Sequence, residues 1–308
     1  MSRAQRIAVV AAIAVVLAAS VSALALQALQ APPASSARLT VIASFYPLAA
    51  LTSRLVGSDV AVGTLVPAGV EPHDWEPSPG DVQRLANADL VVYIHPEFET
   101  YVPDLLAALP TPPPTVVTSE GLELLRRQHG ATIEIDPHIW LDPVLVRHQV
   151  RLLRDALIHI DPAFEADYRA RAALVDSDLV DLDADIQASL SDCAIRTFIA
   201  SHAAFTYFAA RYNLTLEPIT ANPDIEPTPT RIRELIVFAR ANGITVIYME
   251  PLRASGPAQV IAEEIGGTTL PLDPVEALSA SDQVAGRTYF SVMRDNLANL
   301  VVGLRCSP

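Results

Sequence analysis

Basic charge and cysteine are both scarce in this chain of 308 residues. Only 21 basic side chains face 35 acidic ones, giving a formal net charge of −14 and a pI near 4.8. A nucleic-acid partner needs a basic face for its phosphates, so that class is excluded. A negative field instead gathers cations near the surface, or serves solubility alone. Nucleophile elbow, HExxH helix and phosphate loop are all missing, which removes the usual motif support for an enzyme. What is abundant is apolar: 51% of residues are hydrophobic against 18% charged. A chain of this length and composition folds, with room for two ordinary domains.

The first 58 residues lack acidic side chains altogether. Arg3 and Arg6 precede an uncharged run from Ile7 to Leu26, with small residues late in it at Val21-Ser22-Ala23 and after it at Ser35-Ser36-Ala37. This is the layout of a secretory leader over residues 1–37. At 20 residues the run also reaches the length that spans a bilayer, so an uncleaved anchor stays open. No cysteine directly follows it, the first being Cys193, which argues against a lipid anchor. Either way the body of the chain is expected outside the cytoplasm, periplasmic or on the outer face of the cytoplasmic membrane. In that oxidising setting Cys193 and Cys306 are expected to form a disulfide. Closing so long a loop stabilises by roughly 4–5 kcal/mol on the chain-entropy account.

From Arg38 onward short apolar runs alternate with helical patterns. The strand candidates are 39–43, 60–66, 90–94, 115–117 and 133–135, then 197–200, 216–219, 244–249 and 269–272. Runs apolar on both faces and spaced by helices read as parallel strands under covering helices. Between the two groups, Pro162–Leu190 has no glycine, and Tyr168, Ala172, Val175, Leu179, Leu182 and Ile186 recur at three- and four-residue spacing. That is one long amphipathic helix. The fold class expected is therefore α/β: two lobes, each with a mainly parallel sheet, over residues 38–161 and 191–308, joined by a rigid helix over 162–190.

Three histidines sit just past apolar runs in short, proline-stiffened segments: His73 in Glu-Pro-His-Asp-Trp, His138 in Asp-Pro-His-Ile-Trp-Leu-Asp-Pro, and His202 in Ser-His-Ala-Ala-Phe. Asp273 closes the 269–272 strand in Leu-Pro-Leu-Asp-Pro. Ligands of open parallel sheets bind beyond the carboxyl ends of the strands, so all four can line one cleft, two from each lobe. Neutral imidazoles with one carboxylate suit a divalent transition metal, zinc above all. Isolated surface or core histidines are the alternative reading. Three imidazoles with an open fourth position would also make a zinc hydrolase; a bound carboxylate closes that position. The neighbouring acids Glu71, Asp74, Asp136 and Asp142 are placed to accept the far imidazole N–H groups.

These segments, with Ser-Phe-Tyr-Pro-Leu (44–48) and Asn-Pro-Asp-Ile-Glu-Pro-Thr (222–228), resemble the signature motifs of the metal-binding solute receptors of bacterial ABC transporters, the ZnuA/TroA-like proteins. The resemblance covers essentially the whole chain from Arg38. It implies metal held between the lobes by His73, His138, His202 and Asp273, and delivery to a membrane permease. Manganese- or iron-type receptors tend to carry Glu where this chain has His202, so the resemblance implies Zn2+ as cargo. It further implies a monomer and leaves room for a metallochaperone that loads the site. Many zinc receptors carry a histidine-rich loop where residues 120–134 here hold only His129. His95, past the 90–94 run, stands where the family more often has a small or amide residue, and lines the cleft on this reading. Glu250, ending the 244–249 run, is the reserve carboxylate. A rigid connecting helix limits lobe closure, so release is expected through loop movement.

Overall fold

In the computed structural model, which describes residues 37–129, 132–253 and 256–307, the apolar runs pair into two parallel sheets. The leader run Ile7–Leu26 lies outside these residues. The first lobe opens with β1 (Leu39–Ala43), α1 (Tyr46–Leu55) and β2 (Val60–Thr64). A loop carrying one 3-10 turn (Pro72–Asp74) leads to α2 (Pro79–Ala86), β3 (Leu90–Tyr93), α3 (Tyr101–Ala107) and β4 (Thr115–Val117). The strand order is β2-β1-β3-β4, with Val41 of β1 opposite both Val62 and Leu90. All four residues of β3 are buried, as expected for a strand covered on both faces. Ser78 and Asp81 cap α2 reciprocally, and Pro79 supplies its first turn.

One expected strand pairs otherwise. Residues 133–135 do not extend the parallel sheet; β6 (Thr132–Ile135) folds back antiparallel on β5 (Arg126–His129) as a separate hairpin. Ile133 is 65% exposed, so this run has a wet face that a doubly covered strand would lack. The chain then enters α4 (Pro143–Ile160), where Asp142 accepts the Val144 N–H at 2.8 Å, an N-cap that the preceding motif supplies.

The long helix is α5 (Glu165–Ser189), 25 residues preceded by a 3-10 turn at Pro162–Phe164. Its stripe Tyr168, Ala172, Val175, Leu179, Leu182 and Ile186 is buried, as the spacing predicts. The second lobe follows with β7 (Thr197–His202), α6 (Thr206–Arg211), β8 (Thr215–Thr220), α7 (Pro229–Ala241), β9 (Val246–Met249), α8 (Gly256–Ile265), β10 (Thr268–Pro271), α9 (Ala280–Val284) and α10 (Tyr289–Leu304). Its strand order is β10-β9-β7-β8. Counted from its own first strand, this is the order of the first sheet.

Helix α5 packs on α1 and α4 of the first lobe and on α10 of the second. One apolar core consequently runs from Val41 through Leu179 to Leu304, and Leu39–Pro308 form a single compact unit. The Cys193–Cys306 disulfide forms, joining the entry to β7 with the end of α10. Backbone bonds Ala194 N–H to Arg305 O and Ile195 N–H to Leu304 O continue the seam. Among the described residues, no helix is long and apolar enough to cross a membrane.

Candidate metal centre

Four side chains converge where the lobes meet: His73, His138, His202 and Glu276, with donor atoms all within 4.8 Å of one another. Each arrives from a strand end or a proline-stiffened turn. His73 lies in the 3-10 turn after β2. His138 follows the hairpin, just ahead of a second 3-10 turn (Ile139–Leu141). His202 is the last residue of β7, and Glu276 lies beyond β10. The expected histidines meet, but the carboxylate is not the expected one. Asp273 is absent from the group; its Oδ1 turns back to accept the Val275 N–H at 2.7 Å. The first acid after the strand caps the turn, and the acid three residues later faces the imidazoles. The sequence offers that second acid in Asp-Pro-Val-Glu (273–276).

The separations are close enough for one small ion to bridge the four side chains. Glu276 Oε1 lies 3.3 Å from His138 Nε2, 3.6 Å from His202 Nε2 and 3.7 Å from His73 Nε2. The Nε2 atoms of His138 and His202 are 3.2 Å apart. Four ligands about 2.0–2.1 Å from zinc sit about 3.3–3.4 Å from each other at the corners of a tetrahedron. His73 Nε2 and both Glu276 oxygens are buried with no hydrogen-bond partner. Orphaned donors and acceptors of this kind are costly unless a ligand satisfies them.

Carboxylates orient two of the rings. His138 Nδ1 donates to Asp136 Oδ1 at 2.7 Å, and His202 Nδ1 donates to Glu250 Oε1 at 2.6 Å. An ionised carboxylate only accepts, so each Nε2 is left to face the centre. Burial would raise the Asp136 carboxyl, yet His138 and Arg127 hold it below the usual range. Burial works against a charged His202, but Glu250 and Glu276 outweigh it and push its imidazolium up to about 10. Burial would also raise Glu276; the surrounding imidazoles hold it well below the usual carboxylate range. A proton on His202 therefore stands where a cation would, and a metal must expel it.

The remaining candidates serve other contacts. Glu71 pairs with Arg253 across the lobes, and burial pushes its carboxyl up to about 7. His95 Nδ1 accepts the Glu97 N–H at 3.1 Å and closes its own turn. Its backbone N–H, with that of Ile94, goes to the fully buried Glu99, which Ser44 Oγ also contacts. Glu99 carried no motif signal. Asp142 caps α4 and lies 3.5 Å from Arg211 Nε. His148 Nε2 lies 2.7 Å from Glu120 O and ties α4 to that loop.

Other bonds lock the lobes around the centre. Trp140 Nε1 donates to Pro274 O at 2.7 Å, and Tyr289 Oη donates to Trp140 O at 2.7 Å. Tyr207 Oη donates to Asp136 O at 2.9 Å. Arg127 reaches from the hairpin to Asp136, Ala203 O and Thr206 Oγ1. A cleft of about 580 Å³ leads to the histidines past Phe98, Arg127, Ile133 and Asn222. Val275, immediately before Glu276, is fully buried with φ +60°. A β-branched residue there is strained by about 1–3 kcal/mol.

Two parallel α/β lobes on one long helix, with a closed centre of three histidines and one glutamate between them, define a bilobed metal-binding protein. Residues 41–303 match the family model for ZnuA, the zinc-uptake complex component A, periplasmic. The chain belongs to this family. It is 34% identical over 285 residues to the zinc-binding protein AdcA of Streptococcus pyogenes serotype M6, covering 85% of this chain and 55% of the relative. The chain thus spans about half the length of such relatives. To the high-affinity zinc uptake system protein ZnuA of Bacillus subtilis it is 32% identical over 273 residues, covering 84% and 86%. The Zn(II)-bound ZnuA-like domain of Streptococcus pneumoniae AdcA superposes with a TM-score of 0.77 at 34% identity, covering 86% of this chain and 98% of that one.

Proposed function

We propose that this chain captures Zn2+ as cargo between its lobes and delivers it to an ABC permease. The observation that carries the reading is that three imidazoles and one carboxylate bring their donor atoms within 4.8 Å of one another, with Glu276 Oε1 3.3 to 3.7 Å from all three Nε2 atoms. The ligands are His73, His138, His202 and Glu276. Three neutral imidazoles favour zinc over harder ions such as Mn2+. Four protein ligands leave no position for a catalytic water, which suits a carrier. The family's description as a zinc-uptake component and the zinc-bound neighbour support the same cargo.

On this reading the protein works outside the cytoplasm as a monomer, its lobes spanning residues 38–161 and 191–308 about the helix of 162–190. The partner is a membrane permease, with a metallochaperone as an optional loader. Because α5 sits in a core shared by both lobes, release proceeds by movement of the ligand loops. Small-angle scattering of metal-free and zinc-loaded protein should show no large hinge rotation.

The test of cargo is metal competition, by calorimetry or native mass spectrometry, on the wild type and His202→Glu. The wild type should take one Zn2+ in preference to Mn2+, and His202→Glu should narrow that preference. Tighter manganese than zinc binding by the wild type overturns the assignment.

A further inference from the structure

The segment that delivers Glu276 is held at Asp273, Pro274 and Val275. Asn296 of α10, itself buried, accepts the Asp273 N–H at 2.8 Å and donates to Asp273 O at 2.7 Å. Trp140 of the first lobe holds Pro274 O. The Asp273 carboxylate accepts the Val275 N–H, and Val275 sits in the left-handed region. A β-branched side chain leaves that region unless its surroundings hold it there. If Val275 relaxes, the direction of the next residue changes, and that residue is Glu276.

We infer that Asp273 and Asn296 are positioning residues: they clamp Val275 in the left-handed conformation that aims Glu276 at the three histidines. This rests on the zinc-centre reading above. It gives Asp273 a task without placing it on the metal. Asp273 does for Glu276, through the backbone, what Asp136 and Glu250 do for His138 and His202 directly.

The test uses the full chain and Zn2+ affinity by chelator competition, with the visible spectrum of the Co2+-substituted protein as a second readout. Asp273→Ala should weaken zinc binding about tenfold to a hundredfold, the usual loss on removing an outer partner of a metal ligand. Its cobalt spectrum should move toward that of Glu276→Ala. Asp273→Asn keeps an acceptor oxygen without the charge and should bind close to the wild type. The deciding variant is Asp273→Ala/Val275→Gly. Glycine adopts positive φ at no steric cost, so affinity and spectrum should return although the clamp is gone. Wild-type affinity in Asp273→Ala overturns the inference, and so does failure of the glycine to restore the cobalt spectrum. Melting curves in excess chelator identify any variant that is merely unfolded. If the wild type itself binds no zinc, or Glu276→Ala binds it unchanged, the zinc-centre reading fails instead.

Discussion

The two sheets share one strand order, yet they use the same position differently. In each, the first strand lies between the second and the third, and this reversal opens a crevice at the strand ends. In the first lobe that crevice holds Glu99, which binds Ser44 Oγ and the N–H groups of Ile94 and His95. In the second it holds Glu250, which binds His202 Nδ1. One buried carboxylate is consumed by its own fold; the other orients an imidazole of the candidate centre. The topology makes the crevice in both lobes, and whether it becomes chemistry depends on whether an imidazole or a hydroxyl stands opposite the acid.

The comparison can be broken most severely at the acid both lobes share. Glu276→Ala leaves three imidazoles without their anion, and removing one partner of a buried charged set costs about 3–5 kcal/mol. Zinc affinity should fall by about two to four orders of magnitude in chelator competition; a loss under tenfold would remove Glu276 from the ligand set. A smaller effect separates the two crevices in stability. Burial pushes Glu99 up to about 7 from 4.5. The stability of its protonated form is full below about 4.5 and is lost as pH rises through 7, a swing of roughly 3 kcal/mol at most. Urea titrations of the metal-free protein at pH 4.5 and 8 should show this fall, and Glu99→Gln should flatten it while leaving zinc affinity alone. The smallest effect belongs to the other carboxylate. Glu250→Gln frees the His202 tautomer and should weaken zinc about tenfold to a hundredfold. Equal effects of Glu99→Gln and Glu250→Gln on zinc would erase the distinction.

Much of this arrangement is legible in the sequence because strands and helices follow from periodicity alone. The α5 stripe from Tyr168 to Ile186 sits at the expected spacing, and three histidines stand at the ends of their segments. The misreadings have a common physical source, namely backbone direction after an element ends. Ile133–Ile135 reads as another buried strand, but it belongs to β6, half of a hairpin whose Ile133 is exposed. Asp273 and Glu276 are both acids after β10, and only the turn at Val275 decides which one faces inward. Periodicity carries no information about a single positive φ. Glu99 is invisible for a similar reason: it stands outside every motif, and only the folded crevice gives it partners.

The shared core has a thermodynamic consequence. Because α5 contributes one stripe to a core that both lobes share, heating should give a single cooperative transition. Zinc binding at the proposed centre is then felt by the whole chain. At a free zinc concentration a thousand times the dissociation constant, about 4 kcal/mol of stabilisation is spread over residues from β1 to the end of α10. The zinc-bound protein should therefore resist unfolding and proteolysis throughout its length, and the metal-free protein should be vulnerable throughout.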